Sequence, residues 1–401
     1  MKAMQDRKGL VLSGGGARAA YQVGALRAIA QLLPKDSPNP FQIIAGTSAG
    51  ALNAASLASH AQRMRTAVRT LEYIWRNIDS SQIYRLDSGL ITSASQWVFS
   101  FLANRGKGTQ TSLLDNTPLE HLLNSVIKFE RIQRNIDNGH LQALAVTTSG
   151  YTSGESVSFF QAEEDRDNWR RPHRVGIRTQ LTLQHLLAST AIPTLFPAVR
   201  INREYFGDGA IRELAPLSPA IHLGADRILA IGVSANSAMR PGKDTEPVHP
   251  SLAQILAHIL NSAFVDTLPS DMETLRRINT LLAQVNSAEA QERTGMRHID
   301  LLGIAPSQNL NIIAAEHVED LPKTMKIFAR DSGSNTVLSL LLFEKAYCQR
   351  LMTLGYEDAM EKEAQILEFF RPRPPQSGLL ERIRDWGAST VRPFSQRRLS
   401  H

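Results

Sequence analysis

The chain has 401 residues, room for one large α/β domain or two ordinary ones, and 42% of them are hydrophobic against 20% charged, which suits a packed core. Its single cysteine, Cys348, excludes an intrachain disulfide, and no stretch approaches the ~18 apolar residues of a membrane span. The net charge of +6 is uneven: residues 370–401 hold seven Arg against two acids, so the tail carries +5 and the body is nearly neutral, unlike the basic folded body of a nucleic-acid binder.

The opening MKAMQDRKGLVLSGGG has an apolar run too short for a signal-peptide core, so a soluble, cytoplasmic protein is expected. GLVLS then reads as a buried strand and AAYQVGALRAIAQLL as a helix covered on most faces. Pro34, Pro38 and Pro40 break the chain before a second buried strand, FQIIAG, and a second helix, SAGALNAASLASH. Strand, crossover helix and strand in that order predict parallel pairing. Residues 80–116 are rich in breakers yet contain Trp97, Phe99, Phe101 and Leu102, the composition of a lid-like insertion. Thr117-Pro118-Leu119-Glu120 predicts a helix start with Thr117 as N-cap. LQALAVTTS and ESVSFFQ read as strands joined by a Gly-Tyr-Thr-Ser-Gly turn, TLQHLLAST as a helix, and RILAIGVS and HIDLLGIAPS as further buried strands. SNTVLSLLLFEKAYCQRLMTLGYEDAM predicts one long helix, and RPRPP at 371–375 a stiff break that ends the folded body, taken as residues 8–369.

The sharpest chemical signal is Gly46-Thr47-Ser48-Ala49-Gly50, between a strand and a helix. A nucleophilic serine on such a strained turn needs very small neighbours two positions away, here Gly46 and Gly50, so that strand and helix can approach. The helix after Ser48 directs N–H groups, beginning with Ala49, towards developing negative charge. Ser13-Gly14-Gly15-Gly16-Ala17-Arg18-Ala19 also lies between strand and helix, and its unobstructed N–H groups can converge on an anion, which for an acyl hydrolase is the tetrahedral oxyanion. Gly14, Gly16 and Ala19 also fit a dinucleotide fingerprint. Its acid belongs at the end of the second strand; Asp36 precedes that strand, and Gly46 and Ser48 occupy the place. Gly207-Asp208-Gly209-Ala210 alone would read as an Asp-Gly turn. None of the 11 histidines sits in or beside the glycine motifs, however, and a serine nucleophile needs a base, which a directly contacting carboxylate can be.

In that order, Gly14-Gly15-Gly16-Ala17-Arg18, Gly46-Thr47-Ser48-Ala49-Gly50 and Asp208-Gly209-Ala210 resemble the motifs of the patatin-like phospholipases, and the stretch from Ala188 to Pro197 is similar to what those proteins carry before the Asp motif. The resemblance implies a three-layer α/β/α sandwich on a mainly parallel sheet. It implies a catalytic dyad of Ser48 and Asp208, with the oxyanion hole drawn from Gly14, Gly15, Gly16, Ala17, Arg18 and Ala49. The implied activity is hydrolysis of phospholipids or other acyl lipids with no cofactor and no metal. Ala19 departs from the family's glycine, which is harmless inside the helix and straining at positive φ. An α/β-hydrolase with a Ser-His-Asp triad is the nearest rival, with His222, His249, His258, His298 and His317 as candidate bases. That fold needs several strands before its elbow, and one clear strand precedes this one. A catalytically silent lipid-binding protein is a second rival, opposed by the intact Ser48 and Asp208.

In the tail, Leu379, Leu380, Ile383 and Trp386 recur at helical spacing beside Arg382 and Arg384, with Arg392, Arg397 and Arg398 following. Such a stripe suits peripheral contact with an anionic membrane, although Gly387 weakens a helix there. No nucleic-acid partner is expected.

Overall fold

The computed structural model describes residues 6–86, 112, 114–235, 267–285, 293–321 and 335–372. In chain order its elements are β1 (Lys8–Leu12), α1 (Ala20–Leu32), β2 (Ile43–Thr47), α2 (Ala49–Ser59), α3 (Met64–Asn77), α4 (Thr117–Val126), α5 (Phe129–Asp137), β3 (Ala143–Gly150) and β4 (Ser156–Ala162). They continue with β5 (Trp169–Arg171), β6 (Arg174–Arg178), α6 (Leu183–Ser189), β7 (Val199–Ile201), β8 (Glu204–Asp208), α7 (Ser218–His222), β9 (Arg227–Ile231) and α8 (Leu268–Gln284). The last are β10 (Asp300–Ile304), α9 (Leu310–Glu316), α10 (Asn335–Leu341), α11 (Lys345–Met360) and α12 (Glu363–Phe370). No helix among the described residues is long and apolar enough to cross a membrane.

The strands form one sheet in the order β10-β9-β1-β2-β3-β4-β6-β5, with β8 beside β3 and β7 beside β8. From β10 to β3 every pairing is parallel; β4 and β8 then pair antiparallel with β3. Side chains alternate between two cores. Leu10, Leu12, Ile44, Leu144 and Val146 face one core with α1, α2, α3 and α11; Val11, Ile43, Ala45, Ala143 and Ala145 face the other, with α7 and α8. Burial on both faces explains why these strands read as continuous apolar runs. The result is the three-layer α/β/α arrangement that the resemblance implies, on a sheet that is mixed beyond its parallel centre.

On the first face α1 and α11 cross with backbones in direct contact. A Cβ on Gly24 would collide with the Met352 carbonyl, and one on Gly355 with that of Tyr21. Tyr21 also donates to Asp358 Oδ2 at 2.8 Å in the buried seam.

Two local expectations are corrected. The predicted single helix over residues 334–360 is broken at Leu342–Glu344 into α10 and α11. There the Tyr84 hydroxyl donates to the Leu341 carbonyl (2.9 Å) and Ser80 Oγ to Glu344 Oε1 (2.6 Å), so outside donors serve groups at the break. Apolar periodicity continues through such a break and cannot register it. Thr117 is the first helical residue rather than the cap: Asn116 is the N-cap position, and Thr117 binds Asp115 through both its N–H and its hydroxyl. Of the lid-like insertion, residues 87–111 and 113 lie outside the described residues. Its described ends meet in a short pairing of Arg85–Leu86 with Leu114–Asp115. The last described element is α12, and residues 373–401, with the tail's apolar stripe and most of its arginines, lie outside the described residues.

Candidate active site

The site is built where β2 stops. Thr47, its last residue, is opposite Thr147 of β3; the chain then turns sharply at Ser48 and enters α2. Ser48 holds φ 54° and ψ −132°, a left-handed conformation that a non-glycine residue keeps only when its surroundings enforce it. Gly46 and Gly50 permit the turn: a Cβ on Gly46 would come within 2.5 Å of the Gly50 carbonyl oxygen, and one on Gly50 would strike the carbonyl of Leu12. The Ser48 N–H donates to Ser189 Oγ (2.9 Å), whose hydroxyl donates onward to the Thr147 carbonyl (2.7 Å). Ser189, at the end of α6, thus pins the strained residue to the sheet. Its role was not readable beforehand, although it lies in the stretch from Ala188 to Pro197.

Asp208 arrives from 160 residues away through strand register. β8 pairs with β3 only beyond the end of β2, and Asp208 stands opposite Thr148, one step past the Thr47–Thr147 pair. It therefore occupies the place in the sheet that β2 vacates as it turns at Ser48. Ser48 Oγ donates to Asp208 Oδ2 at 2.6 Å, and Asp208 Oδ1 accepts the Ala210 N–H at 2.9 Å. The carboxylate is fully buried, and burial pushes its pKa up to about 7 against the lowering effect of its hydrogen bonds from Ser48 and Ala210. A Cβ on Gly209 would collide with the Thr147 carbonyl, so the Asp-Gly pair serves close packing here.

The glycine run lies directly against this pair: a Cβ on Gly14 would be 3.0 Å from that of Ser48 and 3.3 Å from that of Ala210. Among the described residues, no partner accepts from the N–H groups of Gly14, Gly15 or Gly16. Ala19 has ordinary right-handed geometry (φ −65°), so its departure from glycine introduces no strain. The Arg18 side chain is held by hydrogen bonds to residues of α9 and α10. It is buried, and its guanidinium donates to Ser339 Oγ (2.8 and 2.6 Å) and Asn311 Oδ1 (2.7 Å). Arg18 therefore ties the glycine loop to α9 and α10.

An apolar pocket opens from Ser48. With Ser48 it is lined by Gly16 and Ala49 and by the apolar side chains of Leu71, Trp75, Leu119, Leu123, Ile192, Phe196, Leu340 and Phe343. Ile83, at one described end of the lid-like insertion, also lines it. Trp75 and Phe343 stack at 6.1 Å, and the Trp75 Nε1–H is satisfied by Asn53 Oδ1 at 2.8 Å, so the wall presents carbon.

The model of the patatin-like phospholipases matches residues 10–221, more than half of the chain. The chain belongs to this family. The match contains the glycine run, the elbow and the Asp motif. Members are named for phospholipase activity, and membership supports lipid acyl hydrolysis. A search of curated proteins gave no match. Among solved structures, VipD from Legionella pneumophila is 15% identical with a TM-score of 0.34, over 90% of this chain and 68% of that one. Human GIVD cytosolic phospholipase A2 is 12% identical with a TM-score of 0.42, over 91% of this chain and 60% of that one, so this chain spans three fifths of its length. ExoU in its complex with SpcU from Pseudomonas aeruginosa is 16% identical with a TM-score of 0.23, over 94% and 74%.

The histidines of the triad rival stand elsewhere. His222 packs on Trp169 beside the second core and bonds the Ser218 carbonyl, while His298 and His317 pair with Asp300 and Asp320. His249 and His258 lie outside the described residues. The family match ends at residue 221, yet Leu340 and Phe343 of the pocket lining, and Ser339 and Asn311 that bind Arg18, come from beyond it. Sequence reasoning saw that region only as an apolar helix.

Proposed function

We propose that this patatin-like protein hydrolyses the carboxylic esters of acyl lipids, as a phospholipase A, lysophospholipase or carboxylesterase, through a Ser48–Asp208 dyad. The observation that carries the reading is the 2.6 Å contact between Ser48 Oγ and a fully buried Asp208, with Ser48 lining an apolar pocket. Ser48 Oγ attacks the ester carbonyl carbon as its proton passes to Asp208 Oδ2. The oxygen of the tetrahedral intermediate is held by backbone N–H groups of Gly14, Gly15, Gly16 and Ala17, with Ala49 at the start of α2. The C–O bond then breaks, and the leaving alcohol takes the proton from Asp208. Water attacks the acyl-Ser48 ester by the same route, its proton passing to Asp208 and back to Ser48 Oγ as the fatty acid leaves. Burial supports Asp208 as the base, because a carboxyl raised to about 7 takes up a proton far more readily than an ordinary aspartate. The pocket suits an acyl chain, with Ser48 at its head to meet the ester. Arg18 offers the oxyanion no donor, as its N–H donates to the Gly15 carbonyl (3.1 Å) and its side chain to Ser339 and Asn311; it acts by anchoring the glycine loop. The reading requires no cofactor or metal. Residues 80–116 are read as a cover over the pocket and residues 370–401 as a peripheral membrane contact.

Ser48→Ala tests the reading. Loss of a serine nucleophile lowers turnover by up to on the order of a millionfold. Hydrolysis of a short-chain nitrophenyl ester should vanish while the thermal melt is kept, and His222→Ala and His317→Ala should stay active. A Ser48→Ala protein as active as wild type refutes the mechanism.

A further inference from the structure

The rim beside the dyad presents apolar and basic side chains together. β3 runs parallel to β2, so its last residue, Gly150, lies at the end of the sheet where Ser48 stands. The turn after it meets the β7–β8 hairpin: the Tyr151 N–H donates to the Tyr205 carbonyl (3.0 Å), and the N–H groups of Thr152 and Ser153 both donate to Glu204 Oε1 (2.9 and 2.7 Å). Arg212 reaches the same turn, with Nη2 3.7 Å from where a Cβ of Gly154 would stand. Residues 151–154, 202–205 and 212–214 thus form one continuous surface. Glu204 precedes Asp208 by four residues along β8, so the surface stands roughly 13 Å beyond the carboxylate, at about 3.3 Å per residue.

On this surface Tyr151 is 52% exposed, Tyr205 49% and Leu214 74%, more apolar area than a solvated rim requires. The charges around them are one-sided. Arg200, Arg203 and Arg212 are exposed, and Arg203 and Arg212 form no ion pair with a described residue. The nearby acids are engaged, Glu204 by the two N–H groups and Glu155 by Arg170 at 2.6 Å.

We propose that this rim, formed by Tyr151, Tyr205 and Leu214 with Arg203 and Arg212, docks the mouth of the site on an anionic bilayer. The choice of occupant rests on the lipid-hydrolase reading and on charge complementarity. Tyrosine places an apolar ring and a polar hydroxyl at the headgroup level, a leucine enters the acyl boundary, and arginines pair with lipid phosphate.

The test uses the full chain with vesicles of phosphatidylcholine alone and of phosphatidylcholine with phosphatidylglycerol. Co-sedimentation is measured at low and high salt, with hydrolysis of a soluble short-chain ester in parallel. Wild type should bind the anionic vesicles preferentially and lose binding at high salt. The double variant Arg203→Glu/Arg212→Glu should lower partitioning by about tenfold or more, given the contribution of each arginine near anionic lipid. Tyr205→Ser/Leu214→Ser should weaken binding to both vesicle types. Both variants should keep hydrolysis of the soluble ester within about twofold. The native Cys348 is fully buried, so Leu214→Cys can be labelled selectively with an environment-sensitive dye, whose emission should shift to the blue on anionic vesicles only. Wild-type binding by both double variants, or an unchanged dye spectrum, overturns the docking face, including the case in which another protein covers it. Failure of wild type to cleave the soluble ester while vesicle binding follows the rim overturns the hydrolase reading alone.

Discussion

The proposed chemistry depends on Asp208 as its base, and the burial of this residue makes two measurable statements. As the base it must be ionised, so kcat/KM on a soluble ester should rise about tenfold per pH unit below a midpoint near 7 and be flat above it. A rate independent of pH between 5 and 8 would exclude it as the base. The same burial affects stability. The folded pKa lies above the ordinary value of 3.8, so folding favours the neutral acid; this stabilisation is complete below about 3.8 and is lost as pH rises through about 7. Asp208→Asn removes the titration. The variant should therefore gain in Tm relative to wild type as pH is raised from 4 to 8, while its turnover falls nearly as far as that of Ser48→Ala. Thermal melts across that range check the sign. Ser48 and Asp208 were both legible as motif residues, because small-residue spacing is a local requirement. Ser189 was not, since its use depends on where α6 ends relative to β3.

At the scale of elements, the strands of the parallel centre were legible, because burial on both faces leaves an unbroken apolar run in each. The last two strands at one end of the sheet, β6 and the edge strand β5, were not: RVGIR and WRR carry exposed arginines and no clear alternation. The α1–α11 crossing belongs at this scale too. Gly24→Ala or Gly355→Ala should each lower stability by about 1–3 kcal/mol, the usual cost of overpacking, because the nearest atoms are backbone carbonyls that cannot rotate away. Urea denaturation measures the loss, and a neutral Gly24→Ala would show that the two helices do not pack this closely. In α4, Leu122 lines the pocket and is only partly buried, so Leu122→Trp should fill the pocket without disrupting the core. Long-chain esters should lose at least about tenfold in kcat/KM and acetyl esters less than about threefold; equal losses on both would remove the acyl-chain assignment.

At the scale of the whole molecule, the site is completed by chain well beyond its motifs. Arg18 joins the glycine loop to Ser339 on α10 and Asn311 on α9, and α10 presses its Leu340 carbonyl against Gly16. Arg18→Met removes these charge-assisted bonds and leaves buried polar partners behind. It should cost about 2–4 kcal/mol and lower kcat more than it raises KM, through movement of the oxyanion loop. Paired urea melts and steady-state kinetics test this. A variant with wild-type kcat would show that the C-terminal helices support the fold but not the loop.

The sequence by itself determined the strand-turn-helix context of Ser48, the glycine run, the Asp-Gly motif and the unbroken apolar runs that build the parallel centre. All of these depend on neighbours a few residues apart, where sterics and hydrogen bonding are local. The tertiary structure decided what depends on distant segments meeting. The register of β8 on β3 sets Asp208 at the place β2 vacates, and the closed surroundings raise its carboxyl. Leu340 and Phe343 join the lining of the pocket from the far end of the chain, and the turns after β3 and β7 meet in one basic, aromatic rim. Packing and desolvation are sums over atoms that the order of residues does not bring together.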